Sequence, residues 1–143
     1  MFPQGYFFIK SIKTGKVLDV DDASLKPGAK VVLYHIKTFH SNDNQLWFYE
    51  NGFIINKKSN LVLDVAGGHL KEVAHLCQYQ RKLGQDTSNQ VFDFSNGFIY
   101  PRANPELVLD IRGDKDKDGA EVILYKRKQT DNQNQLWELV PHQ

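Results

Sequence analysis

The sequence contains little cysteine, little net charge and no long apolar segment. Its one cysteine, Cys77, cannot form a disulfide within the chain, which favours a reducing compartment or a fold that needs no covalent cross-links. The net charge is +1, from 18 basic and 17 acidic residues spread along the chain, so the basic patch expected of a nucleic-acid-binding protein is missing. No apolar run approaches the ~18 residues of a membrane span. We therefore expect neither nucleic-acid binding nor membrane insertion.

The first residues, MFPQGYFFIKSIKTG, lack a charged segment followed by a long apolar stretch and a small-residue cleavage site. Because no secretory signal or disulfide is evident, we expect a cytoplasmic protein, or one secreted by a non-classical route. The 143 residues fit one compact domain, 1–143, and a hydrophobic content of 41% is sufficient for a core.

The sequence repeats three times, with a period of about 45 residues. A Leu-Asp-Val or Leu-Asp-Ile motif occurs once per repeat, a tyrosine follows fifteen residues after its aspartate, and an Asn-Gln-x-aromatic motif comes next. The aspartates are Asp19, Asp64 and Asp110, the tyrosines are Tyr34, Tyr79 and Tyr125, and the aromatic residues are Trp47, Phe92 and Trp137. We place the three repeats at about 5–51, 52–96 and 97–139.

Within each repeat, short apolar segments such as YFFI and KVVLYHI alternate with turn-forming segments such as KTGK, LKPGAK and ENG. This pattern is typical of an all-β protein, with about four strands per repeat. A repeat of this size must share a core with its neighbours. A propeller usually has at least four blades, whereas a β-trefoil has three units, with six strands in a barrel and six in hairpins that cap one end. We predict a β-trefoil whose shared core contains Trp47, Phe92 and Trp137.

The three Gln-x-aromatic motifs, in phase with the three Leu-Asp-Val or Leu-Asp-Ile motifs, resemble the ricin B-type (R-type) lectin family over residues 5–139. Members of that family are β-trefoils that bind galactose, N-acetylgalactosamine or other sugars. The chain departs from the family pattern at Phe92, where tryptophan is usual. The resemblance implies a non-catalytic, cofactor-free lectin, such as a fungal ricin-B-like lectin or a ricin-like toxin, whose partners are glycans of glycoproteins or glycolipids.

The resemblance also implies one shallow sugar site per repeat. The aspartate accepts hydrogen bonds from two sugar hydroxyls, the tyrosine stacks under the ring, the asparagine bonds a hydroxyl and the glutamine supports the aspartate. A lysine three residues after the tyrosine reaches the ring, and a residue two before it lines the site with its backbone. The implied residues are Asp19, Val32, Tyr34, Lys37, Asn44 and Gln45 in the first repeat, Asp64, Cys77, Tyr79, Lys82, Asn89 and Gln90 in the second, and Asp110, Ile123, Tyr125, Lys128, Asn134 and Gln135 in the third.

These residue types suit a sugar on chemical grounds as well. An aromatic ring packs on the C–H face of a sugar, a carboxylate makes strong directional hydrogen bonds, and an asparagine offers both a donor and an acceptor. We expect the third site to keep the pattern most fully. We expect the second to deviate, because Val73 stands where the other repeats have Gly28 and Gly119 and reshapes the turn beside that pocket. Replacing the three aspartates by alanine is expected to abolish sugar binding and leave the fold intact.

Two further patterns are interpreted as non-metal features. DKDKDG at 114–119 resembles the start of a calcium-binding loop, but its twelfth position is Tyr125 and not glutamate; we predict a hairpin loop that edges the third site through Arg112 or Asp114. The histidines lack zinc-site spacing, so no metal is expected; they are His35, His40, His69, His75 and His142.

Two alternative functions remain open: a ricin-like toxin, and a sugar-blind trefoil of the cytokine-like or protease-inhibitor type.

Overall fold

The computed structural model of the chain describes residues 1–38 and 41–142, so Phe39, His40 and Gln143 lie outside the described residues. Over that part of the chain it has twelve short strands, four per repeat, which confirms the all-β prediction. The strands are β1 Phe7–Ser11, β2 Val17–Val20, β3 Val31–Tyr34, β4 Trp47–Glu50, β5 Phe53–Asn56, β6 Val62–Val65, β7 Leu76–Tyr79, β8 Phe92–Ser95, β9 Phe98–Pro101, β10 Leu107–Ile111, β11 Val122–Lys126 and β12 Trp137–Pro141. The helical segments are 3-10 turns of three residues at Asp21–Ala23, Asp43–Gln45, Arg112–Asp114 and Gln133–Gln135. Among the described residues, no helix is long and apolar enough to span a bilayer.

The outer strands of the repeats form the barrel. Strand β1 pairs antiparallel with β12, from Phe7 opposite Pro141 to Ser11 opposite Trp137, so the two ends of the chain close the barrel. Hairpins β4–β5 and β8–β9 connect consecutive repeats. The inner strands form three further hairpins, β2–β3, β6–β7 and β10–β11. This arrangement confirms the predicted β-trefoil.

The turns between repeats explain why the second and third repeats start at an Asn-Gly pair. In the β4–β5 turn, Asn51 and Gly52 have φ values of 52° and 90°, and in the β8–β9 turn Asn96 and Gly97 have values of 54° and 86°. Two consecutive positive φ values are the geometry of a type I′ hairpin turn, for which Asn-Gly is the preferred sequence. The turn chemistry therefore fixes the boundaries between the barrel strands.

The repeated aromatic residues lie in the shared core, as predicted. Trp47 and Phe92 are fully buried, Trp137 is 2% exposed, and all three belong to one hydrophobic cluster that draws on every repeat. The indole N–H groups of the tryptophans donate to the Leu18 and Leu109 carbonyls at 3.3 and 3.2 Å. Leu18 and Leu109 directly precede Asp19 and Asp110 in the sequence, so the two tryptophans anchor the strands that carry these aspartates.

Candidate functional sites

Strand register brings the aspartate and the tyrosine of each repeat to the same face of one hairpin. In the first repeat Asp19 on β2 lies opposite Val32 on β3, and Tyr34 is two residues further along β3. Residues two apart in a strand share a face, so Asp19 and Tyr34 are diagonal neighbours on the hairpin. The Cα atoms of such a diagonal pair lie about 7–8 Å apart. The same register places Asp64 opposite Cys77 and Asp110 opposite Ile123. A hairpin of this geometry holds an anion and an aromatic ring at a separation that suits a sugar ring.

A buried glutamine donates a hydrogen bond to each aspartate and holds its carboxylate in place. In the first repeat the Gln45 Nε2 group donates to Asp19 Oδ2 at 2.9 Å and to the His35 carbonyl at 2.9 Å, while its Oε1 accepts from the Lys37 N–H at 3.1 Å. Gln90 and Gln135 repeat this set, with their Nε2 groups 2.9 Å from the carboxylates of Asp64 and Asp110. All three glutamines are fully buried. They position the aspartate and the chain after the tyrosine, and the family resemblance implies a supporting role for the same glutamines.

The asparagines turn their amide nitrogens inward. Asn44 Nδ2 donates to the Val20 carbonyl at 3.1 Å and to Asp19 Oδ1 at 3.2 Å, and Asn89 and Asn134 donate to the carbonyls of the equivalent residues at 3.3 Å. A carbonyl only accepts hydrogen bonds, so this contact assigns the nitrogen to the inner side. The side-chain oxygen is therefore the asparagine atom available to the pocket.

The lysines distinguish the first site from the other two. Lys82 Nζ donates to Asn89 Oδ1 at 2.7 Å, and Lys128 Nζ donates to Asn134 Oδ1 at 3.0 Å. In the first site Lys37 Nζ lies 5.6 Å from the centroid of the Tyr34 ring, a cation–π arrangement. In the second and third sites a hydroxyl would therefore meet an asparagine oxygen that already accepts a bond from an ammonium group.

Burial raises the pKa of all three aspartates above its ordinary value of 3.8. Removal from water disfavours the charged carboxylate, while hydrogen bonds from the glutamines and the nearby lysine charges act in the opposite direction. A carboxylate has about four lone-pair positions, and Asp19 uses two of them for Asn44 and Gln45. Acceptor capacity remains for sugar hydroxyls.

The second site contains a thiol. Cys77 Sγ donates to Asp64 Oδ1 at 3.5 Å, and burial together with the neighbouring carboxylate raises the pKa of Cys77 to about 12. The thiol therefore stays protonated and acts as a weak donor. The sequence predicted that the backbone at this position lines the site, whereas the structure places the Cys77 side chain against the aspartate.

Each repeat has an open cavity at these residues, of about 290, 400 and 310 Å³ in the first, second and third repeats. The aspartate, tyrosine, lysine and asparagine of each predicted set line the cavity together, and Cys77 and Ile123 join them in the second and third. Tyr79 and Tyr125 are 46% and 40% exposed, so part of each ring is free to contact a ligand. Among the described residues, those that line the first cavity do not include Val32, which is buried opposite Asp19.

From the sequence, the turn that follows each Leu-Asp-Val or Leu-Asp-Ile motif was named only in the third repeat, through Arg112 or Asp114, and was missed in the first and second repeats. These turns line the cavities, and the last two residues of each have positive φ values; the turns comprise Asp21, Asp22 and Ala23 in the first repeat, Ala66, Gly67 and Gly68 in the second, and Arg112, Gly113 and Asp114 in the third. The signal was present in the sequence as the residues after each Leu-Asp-Val or Leu-Asp-Ile motif. Arg112 and Asp114 edge the third cavity, as predicted.

The assignment of Val73 to the second pocket was wrong. Gly28 of the first repeat lines the second cavity, and Val73 of the second repeat lines the third. The reason is a backbone contact between repeats: the Gly28 N–H donates to the Gln78 carbonyl at 2.7 Å, and the Val73 N–H donates to the Leu124 carbonyl at 2.8 Å. Each turn therefore borders the tyrosine strand of the following repeat and not the site of its own repeat.

The acidic loop at 114–119 contacts the first repeat. Lys13 donates to Asp114, Lys16 lies 2.6 Å from Asp116, and the His35 Nδ1 lies 2.7 Å from Asp118. The three aspartates are therefore each paired with a side chain of the first repeat. Within residues 1–38 and 41–142, no group of three or more metal-ligating side chains converges; His40 lies outside the described residues.

Comparison with known proteins gives the following similarities. The sequence matches the family described as "Ricin-type beta-trefoil lectin domain-like" over residues 2–79 and 43–125. Mucoricin from Rhizopus delemar is 50% identical over 50 residues, which are 35% of this chain and 33% of Mucoricin, so the match spans about a third of that relative. The solution structure of the mdaA-1 domain is 32% identical with a TM-score of 0.88, over 97% of this chain and 91% of that domain. The earthworm R-type lectin C-half, solved in complex with GalNAc, shares the fold at 24% identity with a TM-score of 0.81, over 96% of this chain and 98% of that one.

Proposed function

This chain belongs to the ricin-type β-trefoil lectin domain-like family, and we propose that it is a non-catalytic lectin that binds terminal galactose or N-acetylgalactosamine. Its partners under this proposal are glycans of glycoproteins or glycolipids. Each of the three repeats contributes one shallow site, so that a single chain binds up to three terminal sugars.

One observation carries the proposal: every repeat holds an aspartate, fixed by a buried glutamine, in the same cavity as a partly exposed tyrosine. Core packing alone does not require this pairing at the surface. A galactose-type sugar presents hydroxyls, one of them axial, along one side and a patch of C–H groups on the other face. The carboxylate and the asparagine oxygen accept from the hydroxyls, and the tyrosine ring packs on the C–H patch.

Selection among sugars follows from the fixed acceptors. Because the glutamine prevents the aspartate from following a misplaced hydroxyl, a sugar that places its hydroxyl elsewhere leaves a buried acceptor unpaired. An open site of this kind binds a monosaccharide weakly, with a Kd of about 10 µM to 1 mM, or roughly 4–7 kcal/mol.

The test is a glycan array probed with the natural chain and with a variant that carries Asp19→Asn, Asp64→Asn and Asp110→Asn. We expect binding to glycans with terminal galactose or N-acetylgalactosamine, and its loss in the variant, because an amide donor replaces an acceptor at each site. A matched control makes the same charge change at aspartates outside the cavities, Asp43→Asn, Asp116→Asn and Asp131→Asn; Asp116 and Asp131 are exposed, and the Asp43 side chain is 44% exposed. An array on which the natural chain binds no glycan, or on which the site variant binds as strongly as the control, would overturn the proposal.

A ricin-like toxin is the second candidate, favoured by the 50% identity over 50 residues to Mucoricin. A toxin of this type removes an adenine base from ribosomal RNA, so incubation of ribosomes with the chain, followed by detection of the depurinated site, separates the two functions. Under the leading proposal the ribosomes remain intact and glycan binding is retained. Depurination by the chain would favour the toxin.

A further inference from the structure

Among the described residues, the third site has a side chain at a turn position where the other two repeats have glycine. Val73 occupies the turn that borders this site from the second repeat, and its N–H donates to the Leu124 carbonyl at 2.8 Å. The equivalent turn residues, Gly28 and Gly119, make the same backbone bond at 2.7 Å to the Gln78 and Leu33 carbonyls. The contact between repeats therefore depends on the backbone and does not need a side chain.

The backbone at Val73 is strained by its side chain. Its φ is 70°, while Gly28 and Gly119 have φ values of 91° and 86°. Glycine occupies this region freely, whereas a β-branched residue there is an outlier. The Val73 side chain is 40% exposed, so burial in the core does not compensate for the strain. A strained residue beside a cavity points to a role in that cavity.

The Val73 side chain adds to the apolar wall of the third cavity. Ile123 and Tyr125 line the same cavity, together with the polar group of Asp110, Asn134 and Lys128. The second cavity has Gly28 at the equivalent place, and a Cβ atom built there meets nothing within 4 Å. The second site is therefore open where the third presents an isopropyl group.

We propose that Val73 is a specificity-determining residue of the third site, where its isopropyl group contacts the acetamido methyl of N-acetylgalactosamine. The proposal rests on the lectin function proposed above and refines it. The third site then prefers N-acetylgalactosamine to galactose, while the second site does not gain this preference from its turn. Transfer of one methyl group from water to an apolar contact favours binding by roughly threefold to fivefold.

The test isolates the third site by Asp19→Asn and Asp64→Asn and measures the affinity for N-acetylgalactosamine and for galactose by calorimetry. We expect a preference of roughly threefold to fivefold for N-acetylgalactosamine. Val73→Gly is expected to bring the two affinities close together and to raise the thermal unfolding midpoint, because it removes the strain. Val73→Thr keeps the β-branched shape and the strain, so it is expected to weaken the preference without raising the midpoint.

The outcomes separate the two proposals. If the isolated site binds both sugars and Val73→Gly leaves their affinity ratio at the natural value, the role of Val73 is wrong and the lectin function stands. If the isolated site binds neither sugar, the lectin function fails at this site and the role of Val73 fails with it. A loss of preference in Val73→Gly together with a higher unfolding midpoint supports the proposal, since a purely structural valine would not change the two properties in this way.

Discussion

At the scale of single residues, the aspartates show a conflict between stability and binding. Burial raises the pKa of Asp19, Asp64 and Asp110, so the ionised form, which under the proposed function accepts hydrogen bonds from a sugar, is disfavoured in the folded chain. The glutamines and lysines around each carboxylate reduce this penalty. The sites therefore retain charged acceptors in a partly desolvated setting, where a hydrogen bond is stronger than in water.

The raised pKa predicts how binding and stability depend on pH. We expect sugar affinity to fall on acidification at a pH above that of an ordinary aspartate, 3.8, because protonation removes an acceptor. The folded pKa exceeds the unfolded pKa, so these groups favour folding below the unfolded value, and this contribution is lost as the pH rises through the folded pKa. Calorimetric titration with galactose from about pH 7 to pH 3.5 measures the first effect.

The contribution of the three aspartates to stability is measured by thermal unfolding over the same pH range. It is the difference in unfolding midpoint between the natural chain and the variant with Asn at all three positions. The difference removes contributions from other acidic groups, such as Asp93, whose pKa is lowered mainly by hydrogen bonds from Arg102. Sugar affinity that stays constant down to pH 3.8 would contradict the assignment of the buried carboxylates as sugar acceptors.

The hydrogen bonds to the three aspartates also decide which substitution best tests their role in binding. The sequence suggested alanine at the three aspartates with the fold intact, but alanine would leave the inward amide donors of Asn44 and Gln45 without their acceptor at Asp19. An unsatisfied buried donor costs about 1–3 kcal/mol. Asparagine keeps one acceptor oxygen for the glutamine, so it separates a loss of binding from a loss of folding more cleanly.

At the scale of elements, hairpin turns set both the barrel and the sites. The Asn-Gly turns fix the barrel hairpins, whereas the turns at Gly28, Val73 and Gly119 bond to the next repeat in the trefoil. The sequence identified strands and turns correctly because short apolar segments and turn residues are local signals. The same reading misplaced Val73, since the partner of its turn is an element about 50 residues away, the strand at Leu124.

The Asn-Gly turn after β4 predicts an effect on stability. We expect Gly52→Ala to destabilise the fold by about 2 kcal/mol or more, because the residue has a φ of 90° and the new Cβ would lie 2.7 Å from Val91 Cγ1. Gly84→Ala is the matched control: its φ is 76° but no atom lies within 4 Å of the Cβ position, so only the backbone cost of about 1 kcal/mol is expected. Urea unfolding of both variants measures the difference. Equal effects would show that the contact with Val91 adds nothing.

At the scale of the whole molecule, the trefoil presents three sites on one core. The hairpins that carry them are joined by backbone bonds between repeats, and the barrel is closed by β1 and β12. Side-chain pairs between the first and third repeats, such as Lys16 with Asp116, lie at the surface, where ion pairs contribute little. Because the shared core fixes the spacing of the sites, the lectin function proposed above would allow a clustered glycan to engage several sites at once.

Multiple sites predict a large effect of avidity. We expect a chain with Asp19→Asn and Asp64→Asn to bind a surface dense in terminal galactose about 10²–10⁴ times more weakly than the natural chain. Its affinity for free monosaccharide at the remaining site is expected to be unchanged, since that site keeps all its contacts. Surface plasmon resonance at high and low glycan density measures both, and the two proteins should differ far less at low density. A small difference at high density would indicate that the sites do not act together.

The sequence by itself determined the repeat, the strands, the core aromatics and the residue types of each site, because these depend on local pattern and on three matching copies. Most of the predicted set lines the cavities, and the glutamines lie behind them as supports. Only the tertiary structure decided which repeat supplies the turn beside each site, which way each asparagine faces, and that Cys77 contributes its thiol. These features depend on distances between segments far apart in the chain, and the spacing of residues within a repeat carries no information about them.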